Sequence, residues 1–314
     1  MKVFISGASG FLGRSVSAEL AAGGHHVTGL VNTENEGKVL EKRGCEFIVG
    51  DTLEGGQWCN AIKDADKVIS VERPLIYGED ISDINVRAQG SFTERATNLF
   101  KAAANGKARS FLMTYDILCY GARTGEWVSD ADAVEPAGLC KAMGEPFKAM
   151  EKLAEETGIG LVNIFPALVY GNGGWFKRIV DDIEKGAGNI VEPGNNYLSL
   201  IHVDDLAGIY ARIIDKVEGN EVYVLADGRP VTQEELIKLV AALMGNREPK
   251  MISFAEYARK NGTLFAETMS TSLRAEGLKA IDTLNYAMKL RSYDKGVGIA
   301  LESMGIKVVG KKAA

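Results

Sequence analysis

The sequence predicts an α/β fold, a doubly wound parallel sheet with a smaller C-terminal lobe interleaved with it, and three observations carry that reading. An apolar run at residues 3–6 passes directly into glycines spaced Gly7, Gly10 and Gly13. From residue 24 to about 170, short β-branched runs alternate with helical patterns, as parallel strands covered by crossover helices do. The 314 residues suffice for one large domain with a smaller lobe attached.

Each element follows in order. Gly7 allows a sharp turn after the first strand, Gly10 allows the backbone to approach a diphosphate, and Gly13 lets the next helix pack closely. In that helix Leu12, Val16 and Leu20 step by four, and Gly23-Gly24 stops it. Its first N–H groups and positive dipole end then face an anion. Strands are expected at 26–31, 45–49, 68–71, 110–114 and 161–165. The longest helical pattern, 85–104, ends at Asn105-Gly106. Beyond 170 the pattern loosens into Gly171-Asn-Gly-Gly174, a helix near 175–185 and a loop over 186–196. Runs at 198–203 and 221–225 are expected to return to the large domain as strands, with helices at 232–244 and 275–288. The predicted division is a dinucleotide-binding domain of 1–170 plus about 198–226, and a smaller C-terminal lobe of about 171–197 and 227–314.

Composition narrows the partners. A net charge of −6 argues against a nucleic-acid or anionic-membrane partner, because either requires a basic surface. No apolar stretch approaches the roughly 18 residues of a membrane span, and a strand starting at residue 3 leaves no room for a signal peptide. The cytoplasm is therefore the expected compartment. Cys45, Cys59, Cys119 and Cys140 are far apart with no C-x-x-C pair, so neither a metal site nor a disulfide framework is expected.

Beyond the glycines, the chain carries Gly50-Asp51 after the third strand, Tyr120-Gly121, Pro166-Ala-Leu-Val-Tyr-Gly171 and Ile201-His-Val-Asp-Asp-Leu206. Val222-Tyr-Val-Leu-Ala-Asp-Gly228 and Arg291-Ser-Tyr-Asp-Lys-Gly296 follow. Together these resemble the extended short-chain dehydrogenase/reductase family, the NAD-dependent epimerase/dehydratase group. The resemblance implies a Rossmann-type sheet that binds NAD(P) and a lobe that closes over a substrate, often a nucleotide sugar. It implies cofactor contacts at Gly7, Gly10 and Gly13, at the backbone N–H groups of Phe11 and Leu12, and at Val71, Thr114 and Pro166. Asp51 takes the place of the acid that accepts from the adenine amino group, as against a simple turn or cap residue, and Thr52 stands where an apolar residue is usual. Where small residues would follow the fourth strand, this chain has Val71-Glu72-Arg73-Pro74.

An NAD enzyme carries an acid at the end of the second strand to hold the ribose 2′-hydroxyl. Here that place reads Val31-Asn32-Thr33, which tips the expectation towards NADP with Asn32 at the ribose.

The catalytic set departs further from the family. Its Ser or Thr, four residues before the Tyr of Tyr-Gly, is replaced by Asp116, and no tyrosine occurs between 122 and 169 to supply the Tyr-x-x-x-Lys pair. The helix that should carry the pair places either Leu139 and Met143 or Gly144 and Lys148 at its positions. Lys148 is the candidate cofactor lysine, with Lys141 as its substitute and a solvated helix face as the plainer alternative. Asp116 and its neighbour Tyr115 are the candidate proton-handling groups. For Asp116 the alternative is a loop residue capping the next segment, while Tyr120 and His202 are read as structural.

The stripe Cys140, Met143, Phe147, Met150 and Ala154 is either core or a dimer face, and the family resemblance suggests a homodimer through the helices near 85–104 and 138–157. The expected function is an NAD(P)-dependent oxidoreductase or epimerase/dehydratase-like enzyme on a small polar or nucleotide-linked substrate. The alternative is a dinucleotide-binding sensor or scaffold without turnover.

Overall fold

The computed structural model describes residues 1–72, 81–123, 126–134, 136 and 141–309, with the backbone alone described at 81–90 and 141–145. The first half runs β1 (Lys2–Ser6), α1 (Phe11–Ala22), β2 (His26–Val31), α2 (Glu34–Glu41), β3 (Glu46–Val49), α3 (Trp58–Ala61) and β4 (Lys67–Ser70). It continues with α4 (Ile81–Ala104), β5 (Ser110–Thr114), β6 (Trp127–Val128), α5 (Lys141–Thr157) and β7 (Gly160–Pro166). Next come β8 (Leu168–Tyr170), α6 (Gly174–Glu184), β9 (Asn189–Val191), β10 (Tyr197–Leu198), β11 (Leu200–His202), α7 (Val203–Lys216) and β12 (Glu221–Leu225). The chain closes with β13 (Val231–Thr232), α8 (Gln233–Leu243), β14 (Lys250–Ile252), α9 (Phe254–Asn261), α10 (Thr263–Ser270), β15 (Arg274–Ala275), α11 (Leu278–Leu284) and α12 (Tyr293–Ser303).

Seven strands form the central sheet in the order β12-β7-β5-β4-β1-β2-β3, and every pairing in it is parallel. The strands nearest the centre are apolar almost throughout because helices cover both faces: Val3, Phe4, Ile5, Phe111, Leu112 and Met113 are all buried. One layer packs α1 against α7, and the other packs α4 against α5. The strand order reverses at β1, which pairs with β2 on one side and β4 on the other. Such a reversal opens a crevice at the carboxyl ends of the strands, where ligands bind in doubly wound folds.

Several expected elements differ. The run 198–203 does not join the central sheet: β10 pairs with β13 and β11 with β8, forming small separate ribbons. The chain then enters α7 directly, with His202 as its N-cap accepting from the Asp204 N–H at 3.2 Å. The expected helix 275–288 shrinks to α11, because Gly277 and Asn285 at its ends are left-handed (φ 65° and 49°). The expected loop 186–196 contains β9, which pairs with β14.

In α5, Met150 and Ala154 are buried, and Phe147 packs on Tyr115 and Phe165 at centroid distances of 5.6 and 6.0 Å. Met150 and Ala154 thus belong to the chain's own core, while Phe147 is half-buried. Cys140 lies outside the described residues, as does the Met143 side chain.

The hydrophobic residues form two clusters, one about the central sheet and one joining α6, α8, α10 and α12. Leu273, Ala275, Ala280 and Leu284 belong to the first, with β15 paired to β6 and α11 lying on β12. Buried polar groups tie the two parts of the chain together. The Asp205 carboxylate accepts from Tyr286 Oη at 3.1 Å and from the N–H groups of Lys289 and Leu290 at 2.7 and 2.8 Å. Asp227 accepts from the Arg229 N–H at 2.8 Å through Oδ1, while its buried Oδ2 has no partner among the described residues.

Burial pushes the Asp227 carboxyl up to about 7, with the Asp205 charge adding to the effect. The same carboxyl in the unfolded chain titrates near about 4. Folding therefore takes up a proton between these values, and the stability linked to Asp227 falls as pH rises through that window. Asp227→Asn, compared with the parent by denaturant unfolding, is expected to gain on the order of 4 kcal/mol in relative stability between pH 4 and 8. An unchanged difference across that range contradicts the assignment.

Candidate functional site

The carboxyl ends of β1, β2, β4, β5 and β7 open onto one cavity of about 650 Å³. Its central wall is the turn between β1 and α1. Gly7 is left-handed (φ 76°), and a Cβ there would lie 2.9 Å from the Glu72 backbone nitrogen at the end of β4. A Cβ on residue 13 would lie 2.1 Å from the Gly7 carbonyl oxygen, so only glycine lets α1 start this close to the turn. Gly10 is different. It has no left-handed φ, and a Cβ would meet only the Gly7 oxygen, at 3.3 Å. The fold alone nearly accommodates a side chain there, and the space above Gly10 belongs to the cavity.

Gly10 caps α1 without a side-chain acceptor, and the first turn contains no acid. The N–H groups of Phe11, Leu12 and Gly13 thus have no partner within the helix and sit at its positive end. The Phe11 ring itself packs on the loop before α6, where a Cβ on Gly173 would come within 2.4 Å of it.

On one side of this turn the cavity is lined by Leu30, Asn32, Gly50, Asp51, Thr52, Phe92 and Arg95. Arg95 grips Asp51 with both terminal nitrogens, at 2.5 and 2.8 Å, and the Leu53 N–H donates to Asp51 Oδ1 at 2.8 Å. Partial burial works against the Asp51 charge, but these donors hold the carboxyl below its ordinary range. Thr52 is buried, and its carbonyl accepts from Asn98 Nδ2 at 2.9 Å. Sequence reasoning missed Arg95. The available signal was its place beside the buried α4 stripe of Phe92, Ala96 and Leu99.

Val71 is buried, with its N–H donating to the Ser6 carbonyl at 3.1 Å. The next residue, Glu72, accepts a short hydrogen bond from the Ser6 hydroxyl. Burial raises the Glu72 carboxyl, opposed by Ser6 and by the Arg95 charge. Arg73 lies outside the described residues.

The sequence places no acid at 31–33, yet the fold supplies one. The Glu36 carboxylate, from the first turn of α2, accepts from the Asn32 N–H at 2.9 Å. A carboxylate thus stands beside the end of β2, where the sequence shows Val31-Asn32-Thr33.

On the other side the cavity is lined by Thr114, Tyr115, Asp116, Pro166, Ala167, Leu168, Val169, Gly174 and Trp175. Successive residues of an extended chain point to opposite faces, and the two residues before Asp116 diverge accordingly. Thr114 Oγ1 lies 2.6 Å from Tyr210 Oη of α7. The Tyr115 ring stacks on Phe165 at 5.0 Å, on the α5 side, and its buried hydroxyl has no hydrogen-bond partner among the described residues. Burial pushes that hydroxyl far above the ordinary phenol range. Tyr115 therefore gives the cavity part of its wall, while its phenol sits in the aromatic core.

Asp116 is buried, lines the cavity and caps the turn Ile117–Tyr120, accepting from the Leu118 N–H at 3.1 Å. Lys148 is exposed on α5 and is not among the lining residues, so the structure does not bring it to the candidate cofactor site. The Lys141 side chain and residue 139 lie outside the described residues. Among the described residues no cluster of His, Cys, Asp or Glu is placed to hold a metal, and no helix is long and apolar enough to cross a membrane.

A model of the NAD dependent epimerase/dehydratase family matches residues 3–226, from the first strand of the central sheet to its last. The chain belongs to this family. Among curated relatives of this epimerase/dehydratase chain, a 3-diazoavenalumate denitrifying reductase from Streptomyces sp is 22% identical, covering 95% of this chain and 99% of that one. A decarboxylating sterol-4-alpha-carboxylate 3-dehydrogenase from Dictyostelium discoideum is 22% identical over 73% of this chain and 72% of its own length. The fold is shared with a dTDP-glucose 4,6-dehydratase from Streptomyces venezuelae solved with NAD bound, at a TM-score of 0.80 and 15% identity over 96% of both chains. A human epimerase family protein solved with NADPH aligns at a TM-score of 0.74 and 18% identity, over 96% of this chain and 98% of that one.

The two glycines make separable predictions. Gly13→Ala is expected to lower stability by about 1–3 kcal/mol through overpacking against Gly7. Gly10→Val is expected to keep most of the stability but to weaken nicotinamide dinucleotide binding by more than about tenfold. Thermal unfolding and calorimetric titration check both, and full dinucleotide affinity in folded Gly10→Val contradicts the assignment.

Proposed function

We propose that the chain is an NAD(P)-dependent oxidoreductase or epimerase/dehydratase-like enzyme that acts on a small polar or nucleotide-linked substrate. In this reading the proton is handled by Asp116. The observation that carries it is the continuity of one cavity from the glycine turn to Asp116. Family membership and the reductase and dehydrogenase names of relatives support the oxidoreductase side.

The cradle fits a nicotinamide dinucleotide on its own chemistry. The space over Gly10 and the unpaired N–H groups of α1 suit a diphosphate. Asn32 would lie at the adenosine ribose, and Asp51, oriented by Arg95, would take the adenine edge. When bound, the cofactor supplies hydride transfer. The chain's own residues supply the rest: Pro166, Leu168 and Trp175 line the same cavity as Asp116, and the Leu118 N–H orients the Asp116 carboxylate. A carboxylate so placed can take a proton from a substrate hydroxyl or return one to a carbonyl oxygen.

A second reading, dinucleotide binding without turnover, is favoured by one observation. The Tyr115 phenol is packed in the aromatic core and Lys148 is exposed, which leaves Asp116 to act while serving as a cap.

Steady-state assays of hydride transfer to a panel of carbonyl substrates separate the two readings. Asp116→Asn is expected to lower kcat by about 10²–10⁴-fold with dinucleotide Kd nearly unchanged. Tyr115→Phe and Lys148→Ala are expected to leave kcat within about threefold of the parent. Unchanged kcat in Asp116→Asn contradicts the assignment, and tight binding with no turnover of any substrate supports the second reading.

A further inference from the structure

The two nicotinamide dinucleotides differ only at the 2′ position of the adenosine ribose, which carries a hydroxyl in one and a phosphate in the other. In a βαβ cradle that position lies at the carboxyl end of the second strand, here Val31-Asn32. Asn32 lines the cavity, and its backbone N–H, a donor that a 2′-phosphate would call upon, is already given to Glu36 Oε2.

Glu36 is held in place from both sides. Its own N–H donates to the Thr33 hydroxyl, the N-cap of α2, at 3.3 Å. The adjacent Gly37 lies so close to the Phe47 ring of β3 that a Cβ there would come within 2.1 Å of it. Helix α2 is thus seated low on the sheet edge, and its first turn delivers a carboxylate to the end of β2. Among the described residues no cation pairs with Glu36, while Glu34 shares the same first turn. The positive end of α2, which alone would favour a phosphate, is therefore covered by two acids.

We propose that Glu36, which stands behind Asn32 and outside the cavity lining, is a specificity-determining residue whose charge repels a 2′-phosphate, so that the chain takes NAD(H) in preference to NADP(H). This rests on the dinucleotide-binding reading above. The acid that sequence spacing seeks at 31–33 is supplied instead by a helix residue, which only the fold reveals.

The test is titration of folded parent, Glu36→Gln and Glu34→Gln with NADH and NADPH. Glu36→Gln keeps an acceptor for the Asn32 N–H and removes only the charge. The parent is expected to bind NADH at least about tenfold more tightly than NADPH. Glu36→Gln should tighten NADPH by about fivefold or more while NADH changes by less than about threefold, and Glu34→Gln should shift the ratio less. A parent that binds NADPH more tightly, or a ratio unchanged in Glu36→Gln, overturns the proposal. Binding of neither dinucleotide to the parent removes the cofactor reading itself, an outcome distinct from a failed preference.

Discussion

The contact between Gly13 and the Gly7 carbonyl is the constraint on which the cofactor end depends. Because a Cβ on residue 13 would sit 2.1 Å from that oxygen, α1 can begin directly against the turn that ends β1. That closeness turns the N–H groups of Phe11 and Leu12 towards the crevice where the strand order reverses. It also sets Phe11 against the loop before α6, so the same turn that faces the diphosphate position abuts the start of the C-terminal part of the chain.

Around this turn the described side chains are rich in charge. Asp51 is bound by Arg95, Glu72 is buried against Ser6, and Glu36 lies on the Asn32 N–H. Two carboxylates and one guanidinium thus line this part of the cavity, with the Glu36 carboxylate behind Asn32. An Arg held bidentate by a carboxylate presents a fixed planar face, which suits a flat base better than a mobile lysine would. At the opposite end the chemistry is sparse among the described residues. Alternation along the extended chain after β5 sends Thr114 to Tyr210 and Tyr115 into the aromatic core, leaving Asp116 on the cavity wall.

Much of this was legible in the sequence. The glycine spacing placed the turn, β-branched runs located all seven strands of the central sheet to within a residue or two, and the missing tyrosine of α5 followed from counting. What could not be read depended on contacts between distant segments. The run Leu200–His202 has strand chemistry, but its partner is β8 rather than the central sheet, and α7 packs against both. The stripe through Phe147 and Met150 could cover a sheet or a second subunit with the same residues, and only the fold assigns it to the sheet. Arg95 and Glu36 escaped for a related reason. Each acts at a residue it does not adjoin in sequence, Arg95 across 44 positions and Glu36 across one helical turn.

The central claim is that the cavity from the glycine turn to Asp116 is a nicotinamide dinucleotide site in one defined orientation. A crystal structure of the chain soaked with NAD tests it most directly. The account predicts diphosphate oxygens on the Phe11 and Leu12 N–H groups, adenine beside Asp51 and the nicotinamide ring beside Asp116. A dinucleotide bound outside this cavity, or bound in it with the adenine at Asp116, would contradict it.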